Sequence, residues 1–168
     1  VEVPPKPFAD DNNYVKVAER LAERLDAFYA NQWDNLANRE AHIQGTGPEI
    51  WRQTDGELHG FVAAIGTGGT LSGTGISLKG FNPKLTVGLA DPHGAKMHAW
   101  FTRGELETDV AGGSVTQGIG QGRITGNVDG SIVDTSFRIS DPEAIAVLDR
   151  LAEDEGLLLG GSSGVNVA

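Results

Sequence analysis

The chain has 168 residues, with 13 Lys and Arg against 23 Asp and Glu, a formal net charge of −10 and an isoelectric point near 4.7. That balance argues against nucleic acid or an anionic membrane as the main partner, since both recruit clustered Lys and Arg. The lack of cysteine removes disulfides, thiolate metal sites and cysteine nucleophiles and suits a cytoplasmic setting, while no apolar run approaches the ~18 residues of a membrane span and no signal peptide is visible.

One domain is the default at this length. Residues 1–11, with Pro4, Pro5 and Pro7, read as an irregular connector, and 12–168 as an α/β region. Asn12 or Asn13 is positioned to cap a first helix whose Tyr14, Val17, Ala18, Leu21, Ala22 and Leu25 share one face. Ala27-Phe28-Tyr29-Ala30 reads as a short buried strand, followed by helical pieces at about 36–44 and 48–54, the second opened by Pro48. A strand over 60–65, a glycine loop, a helix over 70–79 and a strand over 85–90 make a βαβ unit, which favours a parallel sheet with ligands at its C-terminal edge. From Asp91 to Gly130 the periodicity fades into glycines and polar residues, the profile of functional loops. Residues 131–139 read as a strand. Ser140-Asp141-Pro142-Glu143 is a capping box for a helix to about Glu155 with Ile145, Leu148, Leu151 and Ala152 inward, and Leu157-Leu158-Leu159 leads into a last glycine-serine loop.

The loop Gly66-Thr67-Gly68-Gly69-Thr70 carries the clearest chemistry. Small residues let backbone N–H groups converge, the following helix adds its positive end, and the Thr67 and Thr70 hydroxyls can donate to an anion. The dinucleotide fingerprint fails because Leu71 stands where a glycine is needed, and the nucleotide P-loop fails because Thr74-Gly75 follows Gly73. With no Lys or Arg in the loop, a single phosphate monoester suits it better than a triphosphate. A glycine turn without a ligand is the alternative.

Gly160-Gly161-Ser162-Ser163-Gly164 satisfies the nucleophile elbow G-x-S-x-G, yet His42, His59, His93 and His98 all precede Ser162, and no acid follows it, so a hydrolase triad is not completed here. Asp91, His93 and His98 do not share a metal-binding spacing and read as loop or surface residues, so no metal is expected. Trp33, Trp51 and Trp100 are scattered, with few basic residues beside them, and read as core or pocket wall.

The two glycine loops, together with Asn13-Tyr14-Val15-Lys16, Asn31-Gln32-Trp33-Asp34-Asn35, Thr46-Gly47-Pro48-Glu49-Ile50-Trp51 and Gln117-Gly118-Ile119-Gly120 in that order, resemble the pyridoxal-phosphate enzymes of the cysteine synthase and cystathionine β-synthase family. The resemblance spans nearly the whole chain. It implies fold type II, a mostly parallel sheet with helices on both faces, and pyridoxal 5'-phosphate as cofactor. It implies that Gly66, Thr67, Gly68, Gly69 and Thr70 hold the phosphate, that Ser162 meets the pyridine nitrogen, that Gly118 lines the pocket, and that Gln32 helps bind the substrate carboxylate, a satisfied loop amide being the alternative for Gln32. The family's Schiff-base lysine and its Ser/Thr-Asn-Thr-type substrate loop have no counterpart in this chain. Lys6, Lys16, Lys79, Lys84 and Lys96 lack that lysine's context, so no catalytic residue is assigned. The chain begins at Val1 and ends four residues after Gly164, and reads as an internal fragment, truncated at both ends and inactive alone.

For the parent protein the resemblance implies β-replacement on an activated serine such as O-acetylserine, with sulfide giving cysteine, in a cytoplasmic homodimer acting on small amino acids. Cysteine desulfhydrase and cystathionine β-synthase chemistry are alternatives within the family. A non-catalytic phosphate-ligand or protein-binding domain is the alternative outside it.

Overall fold

The computed structural model describes residues 2–107 and 112–168; Val1 of the connector and residues 108–111 of the loop region lie outside the described residues. Three strands, β1 (Gly60–Ala63), β2 (Thr86–Pro92) and β3 (Thr135–Ile139), form a parallel sheet in that spatial order. β2 is central and buried from Val87 to Pro92, as expected of a parallel strand covered on both faces. Val87 and Leu89 enter a core with Ile65, Leu71, Leu78, Leu85, Met97 and Val128, while Ala90 turns the other way to Ile139, Ala144 and Val165.

Seven α-helices accompany this sheet among the described residues: α1 (Tyr14–Leu25), α2 (Ala37–Ala41), α3 (Gly47–Gln53), α4 (Gly69–Phe81), α5 (Met97–Arg103), α6 (Asp141–Glu155) and α7 (Gly161–Val167). Asn13 starts α1 by accepting the Val15 N–H at 3.0 Å, and its own amide donates to the Lys6 carbonyl at 2.7 Å, which ties the connector to the helix. The capping box of α6 forms as expected, Ser140 and Glu143 each taking the other's backbone N–H. None of the described helices is long and apolar enough to cross a membrane.

A π-helical turn, His42–Thr46, joins α2 to α3, where the sequence suggested a break. The Gly47 N–H donates to the His42 carbonyl, five residues back. Pro48 has no N–H to continue the tighter α pattern, so the wider turn carries the chain through without orphaning a donor.

Several expectations are corrected. Residues 27–30 form no strand, and Phe28 is 88% exposed. The groups at the two ends of this stretch are committed elsewhere: the Ala27 N–H closes α1 on the Ala22 carbonyl, and the Ala30 carbonyl takes the Asn35 side-chain amide. α5 interrupts the supposed loop region. Its cap, Asp91, accepts the His98 N–H at 2.8 Å from the end of β2, too far back in the chain for a local capping pattern to show it. Strand β3 begins only at Thr135. In α6 Ile145 faces outward, half exposed, and Ala144 is buried instead, because α7 approaches so closely that a Cβ on Gly164 would strike the Ala144 carbonyl. Leu157, Leu158 and Leu159 are exposed.

Candidate functional site

β1 delivers the chain to Ala64 and buried Ile65, after which Gly66–Thr70 turns into α4 at the C-terminal edge of the sheet. Gly68 sits at φ 93° as the residue before α4, a conformation that glycine adopts without steric cost. A Cβ there would strike Val128, one on Gly69 would strike the Asn38 carboxamide, and one on Gly66 would come within 2.7 Å of the Gly118 carbonyl. The cup is therefore walled by three separate segments. The amides of Thr70 and Leu71 lie in the first turn of α4, where no intrahelical acceptor precedes them.

Side chains fix the cup's shape. Asn38 donates to the Thr67 hydroxyl at 3.0 Å and to the Gln32 carbonyl at 2.8 Å. Buried Thr125 donates to the Thr67 carbonyl at 2.7 Å. Fully buried Asn127 donates to the Gln32 and Trp33 carbonyls and accepts the Arg39 N–H. Thr67 Oγ1 thus accepts from the protein, which leaves its own hydrogen to donate. Thr70 Oγ1 lies 3.2 Å from His42 Nε2.

The loop bearing Gly118 is held at both ends. Asp141 accepts the Ser114 hydroxyl at 2.6 Å and the Val115 N–H at 2.9 Å, while the Gly120 N–H donates to the Ile65 carbonyl and the Gln121 amide to the Gly66 carbonyl. The second glycine motif meets the first through Asn166, which accepts the Ala64 N–H and donates to the Ser162 carbonyl. A Cβ on Gly161 would lie 3.3 Å from Thr116 Oγ1.

Gly66, Thr67, Gly68, Gly69, Thr70, Gly118 and Ser162 thus gather at one edge of the sheet. Gln32 reaches the cup differently: its carbonyl is tied through Asn38 to Thr67, and its residue is exposed. Asp34 is held below the usual carboxylate range by the Arg123 guanidinium, which it meets at 2.9 and 3.1 Å, and it also accepts the Gly126 N–H. This pair fastens 31–39 to 123–128.

Sequence reasoning overlooked His42, Thr125, Asn127 and Asn166 as site supports. Their partners lie far along the chain, 28, 58, 94 and 102 positions away for the contacts with Thr70, Thr67, Trp33 and Ala64. The one available signal was Asn166, a polar residue set two positions after Gly164. Asp91 and His98 serve packing: Asp91 caps α5, and His98 Nδ1 lies 2.7 Å from Ser136 Oγ.

The family model described as "Pyridoxal-phosphate dependent enzyme" matches residues 1–168. The chain belongs to this family. It is 48% identical to cysteine synthase 1 of Neurospora crassa, a match covering 98% of this chain and 45% of that protein. It is 46% identical to cysteine synthase 1 of Emericella nidulans, covering 98% of this chain and 46% of that protein. Among solved structures it is similar to an O-ureido-L-serine synthase, with a TM-score of 0.76 at 34% identity, covering 90% of this chain and 46% of the other. The O-acetylserine sulfhydrylase isoform 3 of Entamoeba histolytica gives 0.78 at 30% identity, covering 91% and 44%. The chain therefore spans under half the length of these relatives.

A pyridoxal-phosphate enzyme needs a cradle for a phosphate monoester, and the cup fits that group. The glycine positions leave no room for side chains, the Thr70 and Leu71 amides lack intrahelical acceptors, and the Thr67 hydroxyl has a hydrogen to give.

Proposed function

We propose that this chain forms most of the cofactor-gripping part of a cysteine synthase-like enzyme that makes cysteine from O-acetylserine and sulfide. The observation that carries the reading is the meeting of the two glycine motifs at one sheet edge, bridged by Asn166 between Ala64 and Ser162. The cysteine synthases of Neurospora crassa and Emericella nidulans, at 48% and 46% identity, support the choice of reaction.

Bound pyridoxal phosphate supplies an electron sink that lets a substituent leave the β-carbon of an amino acid and be replaced. The chain's residues bind and orient. Gly66–Thr70 would hold the phosphate through backbone N–H groups, the Thr67 hydroxyl and the start of α4. Ser162, in the first turn of α7, would give the ring nitrogen a neutral hydroxyl. A hydroxyl does not favour a protonated ring as a carboxylate would, and the milder sink suits elimination and replacement where a good leaving group is present. Gly118, at φ 82°, would leave space for substrate beside the cup, and Gln32 would offer its amide to the substrate carboxylate. The expected assembly is a cytoplasmic homodimer of the full-length protein.

Cysteine desulfhydrase activity is the second reading, favoured by Asn31–Asn35 with Asn38-Arg39 and by Gly118–Thr125, which resemble the branch where both activities occur. The test is to assay the full-length protein for cysteine formation from O-acetylserine and sulfide, and for sulfide and pyruvate release from cysteine. Faster synthesis supports the first reading and faster release the second. Activity in neither assay, with no cofactor absorbance, would reject both.

A further inference from the structure

His42 links the π-helical turn to the cup. Its Nε2 lies 3.2 Å from Thr70 Oγ1, and its Nδ1 lies 2.8 Å from Thr46 Oγ1. The ring can stand so near α4 because of Gly73, one helical turn after Gly69, where a Cβ would strike the Arg39 carbonyl and come within 2.7 Å of His42 Cβ. The π turn then places His42 and Thr46 at its two ends, four residues apart, with the Thr46 hydroxyl against the His42 ring.

A neutral imidazole carries one N–H, so this three-member chain has two arrangements. In the first, the Thr70 hydroxyl donates to Nε2 and the Nδ1–H donates to Thr46. The Thr70 oxygen then offers only lone pairs to its surroundings, which repel an anion. In the second, the Thr46 hydroxyl donates to Nδ1 and the Nε2–H donates to Thr70, whose hydrogen is released to point away from the ring. Of the two, only this second arrangement lets the Thr70 hydroxyl donate beside the backbone amides at the start of α4.

We infer that His42 is a positioning residue for the phosphate anchor: as the Nε2–H tautomer, with the Thr46 hydroxyl donating to Nδ1, it occupies the acceptor of Thr70 and turns the Thr70 hydroxyl hydrogen toward a phosphate monoester. The inference rests on the reading of Gly66–Thr70 as the phosphate anchor. It adds that occupancy of the cup and the tautomer of a histidine on a neighbouring element are coupled. His42 does not touch the reacting atoms. It acts through Thr70 and sets grip on the phosphate.

The test uses the full-length protein freed of cofactor, titrated by absorbance with pyridoxal phosphate and separately with pyridoxal, which has no phosphate. Variant His42→Asn keeps a nitrogen near the Nδ1 position and loses the contact with Thr70, whereas His42→Gln keeps an amide N–H able to reach Thr70. His42→Asn should weaken pyridoxal phosphate binding roughly tenfold, the scale of one hydrogen bond to a charged group, and leave pyridoxal binding nearly unchanged. His42→Gln should recover most of the loss, and in a Thr70→Val background His42→Asn should cost nothing further. Imidazole nitrogen shifts of labelled protein should show the Nε2–H form with pyridoxal phosphate bound. Unchanged affinity in His42→Asn, equal losses in His42→Asn and His42→Gln, equal losses for pyridoxal, or an Nδ1–H imidazole in the loaded protein would each overturn the inference. Failure of the wild-type protein to bind pyridoxal phosphate would instead remove the anchor reading, and this inference with it.

Discussion

The Asn166 carboxamide accepts the Ala64 N–H at 2.7 Å, so the last helix is fastened to the chain just beyond β1. The same side chain donates to the Ser162 carbonyl at 2.8 Å. Replacing Asn166 with Leu would orphan a part-buried donor and free α7 to shift. We expect a loss of about 1–3 kcal/mol in urea unfolding of the full-length protein and weaker cofactor retention on dialysis. Wild-type values in both measurements would show that another contact joins the two motifs.

Gly69→Val tests the cup. The new side chain would meet the Asn38 carboxamide, which also holds Thr67. Cofactor affinity should fall by at least roughly tenfold, the equivalent of one lost hydrogen bond to a charged group. The fold should suffer less, since Asn38 is only partly buried. Circular dichroism alongside a pyridoxal phosphate titration separates the two effects, and undiminished affinity would mean that the phosphate sits elsewhere.

Ser162 distinguishes the cofactor reading from a hydrolase. On the proposed reading, Ser162→Ala in the full-length protein should retain bound cofactor, because the proposed phosphate anchor lies on another loop, while turnover drops roughly tenfold or more with loss of the proposed orienting hydrogen bond. Ser162→Asp should instead move the visible absorption band of the bound cofactor, since a carboxylate favours a protonated ring nitrogen. Labelling of Ser162 by a serine-reactive phosphonate in a protein without cofactor absorbance would revive the nucleophile elbow.

Burial pushes the Asp91 carboxyl up to about 6 from an ordinary value of 3.8, and its Oδ1 has no hydrogen-bond partner among the described residues. The folded chain thus holds this proton more tightly than the unfolded chain. Stability from this group is greatest below the ordinary value, declines as pH rises from 3.8 to about 6, and is level above that. The full span corresponds to about 3 kcal/mol. Asp91→Asn keeps an acceptor for the His98 N–H without a charge to bury. Thermal unfolding should therefore show the variant gaining on the wild type between pH 4 and pH 7, by roughly 1–3 kcal/mol. A gap between the two proteins that does not change with pH would refute this account.

Wherever the physics is local, the amino-acid order sufficed. Asn13 and Ser140 announce their helices because a capping side chain bonds backbone within three residues. The run from Phe61 to Gly75 announces strand, glycine turn and helix because an apolar run broken by glycines and followed by helix formers is a local pattern. The order of the motifs also implied the family and its cofactor, which the family match bears out.

Tertiary structure decided whatever depends on a distant partner. The apolar run at 27–30 is no strand: the Ala27 N–H at its start is spent on Ala22 and the Ala30 carbonyl at its end on Asn35. The first turn of α5 is held by buried Asp91, which accepts the His98 N–H from the end of β2. That Ser162 stands beside the cup depends on Asn166 reaching Ala64, 102 residues away. His42 meets Thr70 because a π turn and a bare Gly73 bring two helical segments within hydrogen-bond distance. Periodicity and propensity describe a residue's neighbours along the chain. A hydrogen bond between remote segments depends on their final packing, which no local pattern records.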